Sequence, residues 1–245
     1  MKRVLLIVIG VLFLTQSVLA LTPIGPPTAT LEEGKYELGF NYLLSEMYVH
    51  EFGFGKHYVF DFDVTSYLPR INVGLGSGWQ FSAGLGVSKL DTEGFHDSSS
   101  PGVLGLKKTF SQQGDISWGA AYQVSWSYFS DSIPGTIIDL DLDYYEMQLA
   151  IGPTYKKDGL SLYGGPFLHM LEGKCEASYE RHYEDKYGDP AIERISLGSS
   201  GIEQKLNIGG FAGLIVDLTE NINLGVEAQF VEDAEAIVFR IGYRF

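Results

Sequence analysis

The last nine residues constrain the fold most. Ile237, Phe239, Ile241, Tyr243 and Phe245 alternate with Val238, Arg240, Gly242 and Arg244. Successive side chains of a β-strand point to opposite faces, so this segment has one apolar, aromatic face and one mostly polar or small face.

The same period recurs upstream. The expected strands are 34–46, 61–76, a third from Trp79, 102–110, 115–130, 138–155, 160–171, 201–218, 222–231 and the final one. Residues 115–130 give the clearest case. Ile116, Trp118, Ala120, Tyr122, Val124, Trp126 and Tyr128 share one face; Ser117, Gly119, Ala121, Gln123, Ser125 and Ser127 share the other. In 61–76 the outward set is Thr65, Tyr67, Pro69, Ile71, Val73 and Leu75, with Ser66, Arg70 and Asn72 inward. The facing of 160–171 is ambiguous. Short connections (77–78, 111–114, 156–159, 219–221, 232–235) contrast with longer ones at 47–60, 91–101, 131–137 and 172–200. Ten strands with alternating short and long connections fit a closed antiparallel up-and-down β-barrel in a membrane. Eight or twelve strands also fit the pattern. A secreted β-sandwich or lipocalin-like barrel would place the apolar face inside instead. Gly and Ser on one face, and Trp and Tyr near strand ends on the other, favour lipid outside.

The final strand, with Ile237, Phe239, Ile241, Tyr243 and a terminal Phe245, resembles the C-terminal strand of bacterial outer-membrane β-barrel proteins. The resemblance implies an outer-membrane address and recognition of that strand by the barrel-assembly machinery. It names no function. Such folds serve as small porin-like or OmpA-type barrels.

The other end is compatible with export. Lys2 and Arg3 precede an apolar run from Val4 to Leu14, and Val18-Leu19-Ala20 has the residues of a cleavage site. This reads as a signal peptide over 1–20, too short for a spanning helix. An extended lead-in with Pro23, Pro26 and Pro27 follows over 21–33, then one barrel domain over 34–245. Without Lys2 and Arg3, the 17 basic residues fall to 15 against 31 acidic ones, which argues against nucleic-acid binding. The single Cys175 cannot form an intramolecular disulfide.

The facing assignments put Glu37, Glu146, Glu203 and Glu227 inside with Arg70, Lys205, Arg240 and Arg244. A narrow barrel fills with side chains, and enclosed charges must pair. The balanced set therefore points to a plugged interior, with a narrow solute channel as the alternative. A rim hydrolase would draw on His50 and His57 beside Glu51, on His96 and Asp97, or on His182 among Glu180, Glu184 and Asp185. No catalytic motif joins them. Asp61, Asp63, Asp139, Asp141 and Asp143 could line an acidic rim, but they lack a calcium-loop pattern. The expectation is a monomeric, loop-presenting surface protein in outer-membrane lipid. It has no catalytic site, metal or cofactor, and 172–200 is a contact surface for an extracellular partner.

Overall fold

The computed structural model describes residues 21–245 apart from 54–55, 93–94, 133–137, 185–189 and 233. Side chains are described outside 47–62, 90–97, 131–140, 142, 175, 177 and 179–205 as well. The strands are β1 (Tyr36–Gly53), β2 (Lys56–Gly76), β3 (Trp79–Leu85), β4 (Val87–Thr92), β5 (Phe95–Ser99), β6 (Gly102–Gln113), β7 (Ile116–Ser132), β8 (Ile138–Lys157), β9 (Leu160–Glu184), β10 (Pro190–Asp217), β11 (Ile222–Val231) and β12 (Ala234–Arg244).

Ten of these close a ring of antiparallel neighbours. The closing seam joins β1 to β12 in unbroken register, from Glu37 opposite Arg244 to Met47 opposite Ala234. Closure satisfies every edge, which an open sheet in hydrocarbon could not do. The remaining two, β4 and β5, carry β3 and β6 past interruptions at Gly86 and Ser100–Pro101; β4 keeps its pairing to β2. At one end the strands reverse tightly. Ser77-Gly78 and Asp158-Gly159 both have positive φ at two successive residues, as a type I′ hairpin requires.

The long connections expected at 47–60, 91–101, 131–137 and 172–200 need correction. Residues 47–53 and 56–60 are strand, paired as far as Gly53 with Lys56. Residues 91–92, 95–99 and 131–132 are strand too, and β9 with β10 runs through 172–184 and 190–200 up to Glu184 opposite Pro190. The centres of these connections lie outside the described residues. The reason is physical. About 9–11 tilted residues cross a bilayer, so β9 and β10 extend well past it. Strand beyond the bilayer has no lipid to impose an apolar face, and no apolar alternation marks these segments in the sequence.

Within the belt the alternation holds. Trp118, Tyr122, Trp126, Leu149, Ile151, Ile241 and Tyr243 are exposed on the outer wall. Their inward neighbours Gln123, Ser125, Glu146 and Gln148 are buried. An outer surface this apolar around a polar interior belongs in hydrocarbon, and it is the reverse of a soluble barrel. At the seam Tyr42 packs 5.3 Å from Tyr67 and 6.4 Å from Phe239, ring centre to ring centre. Such cross-strand aromatic pairs stabilise a sheet. Phe239, Ile241, Tyr243 and Phe245 follow the outward pattern, whereas Ile237 is covered to 7% exposure.

Candidate functional site: the filled lumen

The interior is occupied by the chain's own N-terminal segment. Gly34 N donates to Gly74 O at the tight-turn end of the barrel. From there, read backwards along the chain, residues 31 to 21 run into the lumen, and Leu21–Thr28 are all buried. Proline forces this strap to be extended and removes three donors that would otherwise need partners. The barrel wall meets many of its other amides and carbonyls.

The wall supplies acceptors for the amides and donors for the carbonyls. Thr30 N and Leu31 N donate to Gln80 Oε1, at 2.9 and 3.3 Å, and Ala29 N donates to Thr109 Oγ1 at 2.9 Å. Ile24 N and Gly25 N donate to the two oxygens of Glu227 at 2.9 and 2.7 Å. Thr22 N donates to Glu146 Oε1 at 3.2 Å. In the other sense, Arg70 donates to Pro23 O at 3.0 Å, Lys107 to Pro26 O at 2.7 Å, and Gln229 to Thr22 O at 2.9 Å. Charge-assisted bonds of this kind are stronger than neutral ones.

Apolar contacts hold the inner end. Leu21 and Ile24, at 0% and 2% exposure, join a buried cluster with Phe129, Tyr144, Tyr163, Phe167, Leu171 and Phe211. Burying two such aliphatic side chains contributes about 3–6 kcal/mol before ordering costs. Small wall residues make room. A Cβ on Gly119 would stand 2.6 Å from Pro27 O and 2.8 Å from Thr28 Cα, so this inward position needs glycine. Gly25 itself has φ of +69°, a left-handed conformation costly for other residues.

Two charged networks complete the filling. Glu37, 1% exposed, accepts from Asn72 (3.0 Å), Asn223 (2.9 Å), Arg240 (2.5 Å) and Arg244 (3.1 Å). Arg244 also pairs with Asp217 at 2.9 Å. This network ties β1 and β2 to β11 and β12 across the seam. Glu146 accepts from Ser125 at 2.8 Å and from Gln148 at 2.6 Å, is bonded by the Thr22 hydroxyl, and lies 3.2 Å from His169 Nε2.

The structure therefore places Glu37, Arg70, Glu146, Glu227, Arg240 and Arg244 on the inner face. The side chains of Glu203 and Lys205 lie outside the described residues, as do those of His50, His57, His96 and His182. Sequence reasoning missed Lys107, His169 and the strap. Lys107 follows Leu106 and precedes Lys108 in a stretch without clean alternation. His169 sits on β9 between inward Phe167 and Leu171, so that strand is apolar on both faces. The 21–33 segment was legible as extended, but its position inside was not.

Two small cavities lie beside the strap among the described residues. One of about 20 Å³ is lined by Pro23, Gly25, Arg70, Lys107, Glu227 and Arg240 among others. One of about 30 Å³ lies near Thr22, Leu43, Ser66, Val103, Ser125 and Tyr144. Each has room for a small guest such as water.

No protein-family profile matches this chain, and no curated protein matches it. Among solved structures it is similar to Ail, the attachment invasion locus protein of Yersinia pestis, at 18% identity over 87% of this chain and 99% of that one, with a TM-score of 0.37. It is similar to the outer-membrane protein AlkL at 12% identity over 95% and 97%, with a TM-score of 0.45. It is also similar to the toluene transporter TodX of Pseudomonas putida at 14% identity over 93% and 78%, with a TM-score of 0.40. At these identities and scores the likeness says nothing of function.

Proposed function

We propose that this chain is an outer-membrane β-barrel that anchors a surface structure and keeps its own lumen closed. The observation that carries this reading is the burial of Leu21–Thr28 inside the ring, beside which cavities of about 20 and 30 Å³ lie among the described residues. A closed barrel with hairpins extending past the membrane presents surface without conducting. The extended β9–β10 hairpin, which includes 172–184 and 190–200, is the largest surface available to an extracellular partner.

Export and assembly belong to the same proposal. Cleavage after Ala20 starts the mature chain at Leu21, whose side chain fits the apolar seat described above. The Phe245-terminated strand β12 serves as the assembly signal. Outer-membrane lipid surrounds the apolar belt, and the barrel acts as a monomer, its closed ring leaving no strand edge for a second copy to extend.

Planar-bilayer recording of the refolded 21–245 chain tests the reading. The expected result is no discrete conductance from protein shown to be folded by its heat-dependent gel mobility. Steady unitary steps overturn the closed lumen and favour the narrow channel, for which the polar inner face would be the conducting path.

A further inference from the structure

Among the described residues, the enclosed cations Arg70 and Lys107 make no ion pair, and the one carboxylate beside them, Glu227, takes only neutral donors. Arg70 donates to Pro23 O, Ser82 Oγ (2.7 Å) and Gln123 Oε1 (2.9 Å), all of them neutral. Lys107 donates only to Pro26 O. Neither pairs with a carboxylate among the described residues. The nearby carboxylates are engaged elsewhere. Glu227 accepts from Ile24 N, Gly25 N, Tyr163 (2.9 Å) and Gln229 (2.6 Å); Glu37 serves Arg240 and Arg244. A buried cation without a counter-charge is strongly unfavourable.

The cations converge on one place. The point where a Cβ of Gly25 would stand is 3.0 Å from Lys107 Nζ and 3.3 Å from Arg240 Nη1. Arg70, Lys107 and Arg240 all line the cavity of about 20 Å³, against one carboxylate, Glu227. Arg70 Nε and Arg240 Nε are buried donors with no hydrogen-bond partner. A volume of about 20 Å³ suits a monatomic anion better than a larger tetrahedral oxyanion.

We propose that this cavity is a binding site for one small monovalent anion of the halide class, held by Arg70, Lys107 and Arg240 and covered by the strap at Gly25. The anion adds a counter-charge in contact with the three cations, which the single carboxylate Glu227 of the cavity wall does not balance, and accepts from their free N–H groups. It thereby ties strap docking to halide in the surrounding medium. The site rests on the closed lumen, because Pro23, Gly25 and Pro26 form one of its walls.

Crystals of the refolded 21–245 chain grown in molar sodium bromide, with diffraction recorded at the bromine edge, test it. The expected map shows the strap in place and an anomalous peak in contact with Lys107 Nζ and the two guanidinium groups. A map with the strap in place and only water in the cavity overturns the anion site and leaves the closed lumen standing. A map with the strap withdrawn overturns both. In solution, replacing gluconate, an anion too large for the cavity, by chloride at equal ionic strength is expected to raise the unfolding midpoint by about 2–4 °C. Lys107→Met is expected to abolish that difference, and a wild-type midpoint indifferent to halide counts against the site even if the variant fails to fold.

Discussion

Glu227→Gln offers the sharpest test of how the strap is held. Each Glu227 oxygen takes two donors: Oε1 from Ile24 N and Gln229 Nε2, Oε2 from Gly25 N and Tyr163 Oη. Glutamine keeps the shape but replaces one acceptor oxygen with an NH2 group. One orientation turns the NH2 toward Ile24 N and Gln229 Nε2, the other toward Gly25 N, where the Tyr163 hydroxyl can rotate to accept from it. A strap amide is orphaned either way, at about 1–3 kcal/mol, so docking weakens by about 2 kcal/mol. That corresponds to a roughly 30-fold rise in the undocked population. The assay is maleimide labelling of Ile24→Cys in a Cys175→Ser background, since Ile24 is 2% exposed when docked. Glu227→Gln is expected to speed labelling at least tenfold while the barrel keeps its heat-dependent mobility. Equal rates in the two proteins would refute the view that Glu227 clamps the strap.

Three further outcomes follow from the geometry. Gly25→Ala is expected to undock the strap by about 1–2 kcal/mol, because alanine must adopt φ of +69° and crowd Lys107; the same labelling assay reads it. Glu37→Gln removes the counter-charge of Arg240 and one of the two of Arg244 at the seam, so the unfolding midpoint is expected to fall by about 6–20 °C, from about 3–5 kcal/mol at 2–4 °C each. An unchanged midpoint would show that the seam depends on its backbone ladder alone. Phe245→Ser is expected to lower the amount of barrel assembled in cells several-fold while changing the refolded protein's midpoint little, since Phe245 is exposed and its side chain touches chiefly Tyr243. An equal loss in both settings would assign the residue to stability and remove the assembly role.

The parts of the fold that were legible in the sequence are those where one face meets lipid and the other a polar interior. Trp118 to Tyr128 on β7 and Leu224 to Phe230 on β11 alternate because each apolar residue has a polar or small neighbour. Where the environment is the same on both sides the signal vanishes. The outer halves of β1, β2, β9 and β10 run beyond the length that crosses a bilayer, where no lipid imposes alternation, so 47–60 and 172–200 carried no period. The opposite case is the inner end of β9, where Phe167 and Leu171 point inward and Leu162 and Leu168 follow the outward register. The strap was hidden for another reason. Its burial is set by partners far along the chain, such as Glu227, Arg70 and Lys107, and no local pattern in Leu21–Thr28 encodes them. The inward glycines were noted as fitting a crowded interior, but the occupant at Gly119 is backbone from the strap and not a side chain.

Amide hydrogen exchange over residues 21–31 of the refolded chain tests the central claim most directly. The amides of Ile24 and Gly25 are bonded to Glu227, and those of Ala29, Thr30 and Leu31 to Thr109 and Gln80. A docked strap predicts protection of this peptide comparable with the seam strands β1 and β12. Exchange at the rate of an unstructured peptide, from a barrel whose strands remain protected, would contradict the closed lumen.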